Sequence, residues 1–161
     1  MLKNLFIQCL IFVAIFQLLT WFKQSSMLAT DQSTAVHQFV LPTSDGKTIS
    51  LQANQRKTIV YFFAPWCSIC DVSIDNLQSL YEKNLNIDVI AVALDYVDQS
   101  QVLNFSRKHQ LTFPVVYGNE EIKSSYKIHA YPSYYVLNEE STIIAKSMGY
   151  STELGLYLRS L

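Results

Sequence analysis

Between Lys3 and Lys23 the chain carries 19 uncharged residues, NLFIQCLIFVAIFQLLTWF. A helix of that length rises about 28 Å, close to the ~30 Å hydrocarbon core of a bilayer. Trp21 and Phe22 fall where an interfacial aromatic would anchor. A cleaved signal peptide predicts a shorter apolar region that ends in a small-x-small site. Ser26 has Gln24 two positions before it and Ala29 has Met27, so neither makes a good site. The pattern predicts an uncleaved membrane anchor over residues 1–23. KQSSMLATDQST (Lys23–Thr34) is polar and aperiodic, so residues 24–36 read as a tether and a domain follows over 37–161.

Within the domain, HQFVLPTSDGKTISL shows two short apolar runs around Asp45-Gly46, a hairpin signal. KTIVYFF (Lys57–Phe63) and IDVIAVALD (Ile87–Asp95) are apolar on both faces, as in buried central strands. CDVSIDNLQSLYEK places Ile74, Leu77 and Leu80 or Tyr81 on one helical face. DQSQVLNFSRKHQ begins acidic and ends basic around Val102 and Phe105, as an amphipathic helix does. FPVVYG reads as a short strand or a loop, followed by a helix in NEEIKSSYKI. YPSYYVLNEESTIIAKSMG predicts two strands around Asn138–Glu140, and STELGLYLRSL a final helix behind a Ser-x-Glu cap signal. Parallel crossovers followed by a terminal hairpin make an α/β domain with helices on both faces of its sheet.

Net charge is −1, with both signs scattered and no basic block, which gives nucleic-acid binding no support. One lysine flanks each side of the apolar stretch, and the free amino group tips the amino terminus inward. The expected location is the inner (cytoplasmic) membrane, single-pass, with the domain facing the periplasm or extracytoplasmic space, where disulfide chemistry is possible. Cys9 lies in the apolar stretch and reads as a small apolar residue.

Cys67 and Cys70 follow directly on the first buried strand, in YFFAPWCSIC. A structural zinc site needs four ligands, and the three histidines, His37, His109 and His129, stand isolated. Covalent haem wants His after the second Cys, where Asp71 stands. A crosslink across two intervening residues removes little entropy from the unfolded chain. Redox chemistry fits the location. At a strand-to-helix junction the unpaired N–H groups and the helix dipole stabilise a thiolate at Cys67, with Cys70 one turn inward. Trp66 and Pro65 keep the first sulfur at the surface.

FFAPWCSIC, followed downstream by YPS, resembles the thioredoxin superfamily. The hairpin FVLPTSDGKTISL resembles the feature added by its membrane-anchored TlpA/ResA/DsbE-like branch. TFPVV, YPSYYVLNEE and GYSTELGLYLRSL are most similar to the suppressor of copper sensitivity D type of protein disulfide oxidoreductase. The resemblance covers residues 37–161. It implies a thioredoxin-like α/β fold with a central mixed sheet, helices on both faces and an extra amino-terminal β-hairpin, preceded by one transmembrane helix. It makes Cys67 the nucleophile, Cys70 the resolving thiol and Pro132 the cis proline beside the disulfide. Tyr131 would present its backbone to an extended substrate segment. Trp66, Ile69, Tyr131 and Tyr150 would form an apolar rim for cysteine-containing protein substrates. No metal and no cofactor beyond the Cys67–Cys70 pair is expected, and the electron donor would be a transmembrane thiol reductant.

Departures from the family pattern matter. The buried Asp of many thioredoxins is Tyr61 here, the Glu of ResA-like members is Ser73, and the usual helix proline is Asp75. Asp71 or Asp75 would have to stand in as acid or base, although both are expected to face solvent. Ser68-Ile69 supplies no cation to stabilise the thiolate, so reductase or isomerase-pathway use is favoured over oxidase. The competing reading is an extracytoplasmic copper-binding chaperone on the same fold, since soft thiolates suit Cu(I). Another is a thioredoxin-like fold kept only for docking, which retention of both cysteines and the proline opposes.

Overall fold

A computed structural model describes residues 2–30, 39–83 and 86–161. The elements run α1 (Leu2–Ser25), β1 (Val40–Pro42), β2 (Thr48–Ser50), β3 (Lys57–Phe63), α2 (Ser68–Glu82), β4 (Ile87–Ala93), α3 (Gln99–Lys108), β5 (Val115–Tyr117), α4 (Glu120–Ser125), β6 (Ser133–Leu137), β7 (Ile143–Met148) and α5 (Glu153–Arg159). One sheet has the order β5-β4-β3-β6-β7. β3, β4 and β5 are parallel, with α2 and α3 as their crossovers, and β6 and β7 add antiparallel strands. This is the expected mixed α/β sheet.

Alternation along the buried strands splits the core into two layers. Ile59, Tyr61 and Phe63 of β3 pack with Ile74, Leu77 and Leu80 of α2, Phe105 of α3 and Leu156 of α5. Val60 and Phe62 enter the other layer, with Leu41 of β1, Ile122 of α4 and Tyr126 just beyond it. Both faces of β3 are therefore covered, which is why its sequence shows no polar alternation.

The β1–β2 hairpin forms a separate antiparallel pair, and its turn uses Gly46 at φ +83°. It lies against the sheet edge, where the Ser44 N–H donates to the Val115 carbonyl at 2.8 Å. FPVVYG thus resolves as a strand whose outer edge is shielded by the hairpin. The cap of α5 is Thr152, not Ser151. Ser151 is buried and donates to the Tyr134 hydroxyl at 3.3 Å.

At the amino terminus α1 spans 24 residues. Among the described residues no helix is long and apolar enough to cross a membrane. Several α1 side chains, those of Trp21 and Phe22 among them, lie outside the description, as do residues 31–36 of the expected tether and His37 at the domain start. The membrane anchor stays an expectation of the sequence. The described start of the tether is not free. Met27 is buried, the Leu28 N–H donates to the Tyr135 hydroxyl at 3.1 Å, and Lys146 Nζ donates to the Leu28 carbonyl at 2.8 Å. Two apolar side chains inside a polar run cover the sheet there, so local composition misleads.

Candidate active site

The parallel strands β3 and β4 end together, with the Leu94 N–H donating to the Phe63 carbonyl at 2.8 Å. From that rim Ala64, Pro65 and Trp66 lead into α2, whose N-cap is Cys67. The Cys70 N–H donates to Cys67 Sγ at 3.1 Å. A helix N-terminal N–H aimed at this sulfur favours its thiolate once the pair is reduced. Here Cys67 and Cys70 are joined as a disulfide, with Cα atoms 5.2 Å apart. Cys67 is 7 % exposed and Cys70 fully buried. The order of exposure is the expected one, but Cys67 is more enclosed than its position after Trp66 predicts. Its sulfur is turned back onto the helix start, and the side chains that project are Trp66 and Ile69, 64 % and 51 % exposed.

The Tyr131–Pro132 bond is cis, and Pro132 is buried. The Gly149 N–H donates to the Pro132 carbonyl at 2.7 Å, fixing this loop to the end of β7. The rings of Trp66 and Tyr131 meet edge to face with centroids 5.9 Å apart. The fold therefore joins the loop before Cys67 to the loop before Pro132. Tyr150 is exposed, and Asn76 Nδ2 of α2 donates to its hydroxyl at 3.0 Å. Val72, one turn beyond Ile69, extends the exposed apolar surface and has no counterpart in the sequence reading.

Asp95, just past β4, was also not picked out as a site residue by the sequence. Its carbonyl accepts from Trp66 Nε1 at 2.8 Å and its Oδ2 from the Tyr131 hydroxyl at 3.0 Å. Lys123 Nζ of α4 reaches both carboxylate oxygens, at 2.9 and 2.8 Å. The one available signal was position, at the carboxyl end of a buried parallel strand, where site loops gather.

Beneath the cysteines no buried carboxylate is present among the described residues. Ser73 lies against the phenol of Tyr61, yet neither buried hydroxyl completes a hydrogen bond. Burial pushes the Tyr61 phenol far above its ordinary range, so it stays protonated. Asp71 and Asp75 are on the partly exposed face of α2, as expected, but they are engaged. His109 Nε2 stands 2.9 Å from Asp71 Oδ1, and its Nδ1 stands 2.7 Å from Asp75 Oδ1. Lys108 pairs with Asp71 as well. These contacts hold the Asp71 carboxyl below its usual range, through Lys108 first and His109 second. The negative charge that Asp71 brings to the helix start is thereby offset. His109, which stands alone in the sequence, is a partner in the fold.

A cavity of about 350 Å³ opens beside Pro65 and Trp66 and reaches Asp71, Asn104 and Lys108. A larger one, about 440 Å³, lies among Ile49, Thr58, Asp88 and Pro114 and holds no thiol.

The AhpC/TSA family pattern matches residues 33–146. Sporulation thiol-disulfide oxidoreductase A of Bacillus subtilis is 28 % identical over 86 % of this chain and 87 % of its own length. Thiol-disulfide oxidoreductase ResA of Bacillus thuringiensis is 28 % identical over 76 % of this chain and 74 % of its own. The crystal structure of StoA from Bacillus subtilis superposes with a TM-score of 0.71 at 28 % identity, covering 80 % of this chain and all of that one.

Proposed function

The chain belongs to the AhpC/TSA family, and we propose that within it the protein works as a thiol–disulfide oxidoreductase on extracytoplasmic protein substrates, held at the membrane by its amino-terminal helix. The enzyme class is that of its relatives, which are named thiol-disulfide oxidoreductases of the StoA and ResA type. The observation that carries the reading is the Cys67–Cys70 pair at the N-terminus of α2, with the preceding Trp66 ring packed on Tyr131 of the cis Tyr131–Pro132 bond.

In the reductive direction the Cys67 thiolate attacks one sulfur of a substrate disulfide. That S–S bond breaks, its other sulfur leaves as a thiolate that takes a proton, and Cys67 is left in a mixed disulfide. Cys70 then loses its proton and attacks Cys67 Sγ. The second substrate thiol departs, and the Cys67–Cys70 disulfide holds the two electrons' worth of oxidation. An external dithiol, which we assign to a transmembrane thiol reductant, returns the pair to the reduced state. No cofactor enters this cycle. The N–H of Cys70 supports the first thiolate, and the offset of Asp71 by Lys108 and His109 keeps that support from being cancelled.

Direction, location and subclass are part of the proposal. The absence of a cation between the cysteines favours reductase or isomerase-pathway use. The 19-residue apolar stretch and its flanking lysines support an inner-membrane anchor over 1–23 with the domain, 37–161, outside the cytoplasm. The suppressor of copper sensitivity D subclass rests on the segments TFPVV, YPSYYVLNEE and GYSTELGLYLRSL. Reduction of insulin by the purified protein with dithiothreitol tests the reading. Tight Cu(I) binding without insulin reduction would replace it by the copper-chaperone alternative.

A further inference from the structure

Asp95 bonds to side chains of three separate segments: Trp66, next to Cys67, Tyr131 of the cis-proline loop and Lys123 of α4. Its backbone is left-handed at φ +50°, a conformation Asp tolerates better than most residues. That turn aims its carbonyl at the Trp66 indole N–H, 2.8 Å away, and leaves its carboxylate for other partners. Oδ2 accepts from the Tyr131 hydroxyl at 3.0 Å, and Lys123 Nζ bridges Oδ1 and Oδ2 at 2.9 and 2.8 Å. Glu120, also on α4, lies 3.8 Å from the same ammonium.

The surroundings bear on the protonation of two of these partners. The Asp95 hydrogen bond raises Lys123 above its usual range, so the ammonium stays charged. Burial, then the bond to Asp95, raises the Tyr131 phenol, so it stays a donor. Half-exposed ion pairs contribute little to global stability, and Lys123 and Asp95 are 27 % and 31 % exposed. What the group does is hold Trp66 and Tyr131 in one relative placement, their rings 5.9 Å apart. Trp66 is mostly exposed, and without the bond to Asp95 its ring would have to be ordered anew each time a substrate segment arrives.

Resting on the oxidoreductase reading, we propose that Asp95 is a positioning residue for protein substrates. Together with Lys123 it presets Trp66 and Tyr131, which pack edge to face, as one continuous aromatic wall of the substrate site, and it takes no part in the thiol exchange itself. The ligand class is an extended, cysteine-bearing polypeptide segment; a disulfide too small to touch both rings is indifferent to Asp95.

The test compares insulin with hydroxyethyl disulfide as oxidants of the full chain, for the parent and for Asp95→Ala, Lys123→Met and Tyr131→Phe. KM for insulin is expected to rise about three- to tenfold in Asp95→Ala, as the loss of one charge-assisted hydrogen bond implies. Its kcat and the rate with hydroxyethyl disulfide stay within about twofold. Alanine keeps a carbonyl at position 95 but tolerates the left-handed φ of +50° less well than Asp, so in a Trp21→Phe background the aim of that carbonyl at Trp66 loosens and Trp66 fluorescence shifts to the red in Asp95→Ala. Lys123→Met and Tyr131→Phe move the insulin KM in the same direction by less, and they carry the test if Asp95→Ala does not fold. Equal losses on both disulfides would overturn the proposal, because they would place Asp95 in the thiol chemistry. An unchanged insulin KM in every variant would overturn it too. A parent that reduces neither disulfide removes the oxidoreductase reading, and the proposal falls with it; a parent active on both confines any failure to Asp95.

Discussion

His109 Nε2 lies 2.9 Å from Asp71 Oδ1 and so joins the end of α3 to the first turn of α2. Its Nδ1 reaches Asp75, and carboxylates only accept, so both contacts are hydrogen bonds together only while both ring nitrogens carry protons. Replacing His109 by Leu removes both and should cost about 1–2 kcal/mol, read from denaturant midpoints. The Asp71 carboxyl is depressed in the folded state by Lys108 first and His109 second. Its contribution is therefore fully present above the ordinary Asp range and fades as pH falls through the lowered value. Asp71→Asn should melt below the parent at pH 7, and the gap should close in acid. A gap of the same size at every pH would refute the linkage.

The two thiols should divide the labour. Cys67→Ser abolishes attack on a disulfide substrate, because the sulfur that receives the Cys70 N–H is gone. Cys70→Ser still attacks but stalls as a mixed disulfide, so non-reducing pull-down with it captures partners. Alkylation rates against pH for each single variant decide the matter. Faster reaction at Cys70 than at Cys67 at neutral pH would reverse the roles.

Tyr61 occupies the place of a family acid, yet burial keeps its phenol protonated and without a completed hydrogen bond. Tyr61→Phe should leave stability unchanged or raise it by up to about 1 kcal/mol, since an unsatisfied buried hydroxyl is lost. Insulin reduction should persist. A variant that is folded but inactive would make Tyr61 the proton carrier for Cys70.

Gly118 ends β5 where α4 is about to begin, and its N–H donates to the Ala93 carbonyl at 2.9 Å. A Cβ there would lie 2.6 Å from Leu94 Cδ2, 2.8 Å from Val92 Cγ1 and 2.9 Å from the Ala93 carbonyl oxygen. Backbone cannot yield as a side-chain tip can. Gly118→Ala should destabilise by about 1–3 kcal/mol, measured by thermal or urea unfolding.

The apolar stretch between Lys3 and Lys23 should keep the protein in the membrane fraction through alkaline carbonate extraction. Protease added to cells with a permeabilised envelope but an intact inner membrane should reach the domain. Release in soluble form with a trimmed amino terminus would show that the segment is a cleaved leader.

Most of the architecture was legible from local pattern. KTIVYFF and IDVIAVA have no polar face because both faces are covered, and Asp98 caps α3 as its acidic start predicts. Cys67 and Cys70 were legible because their spacing and the preceding strand constrain one another. Asp95, Lys123 and His109 were not. Trp66, Asp95 and Tyr131 come from three loops, and Asp71 and His109 are 38 positions apart, so no window of sequence shows them together. The α5 cap slipped by one because Ser151 found a better partner in Tyr134 than in the helix.

Docking of Met27 and Leu28 changes how far the enzyme can search. A free tether over residues 24–36 could stretch to about 45 Å and let the cysteines sweep a wide volume. With Leu28 fastened to Tyr135 and Lys146, only about 7 Å of chain separates the end of α1 at Ser25 from its mooring at Met27. If α1 lies in the bilayer as proposed, the domain stands on a short post rather than a leash. The height of Cys67 above the lipid would then be nearly constant, and partners would be selected by whether their disulfides come to that height.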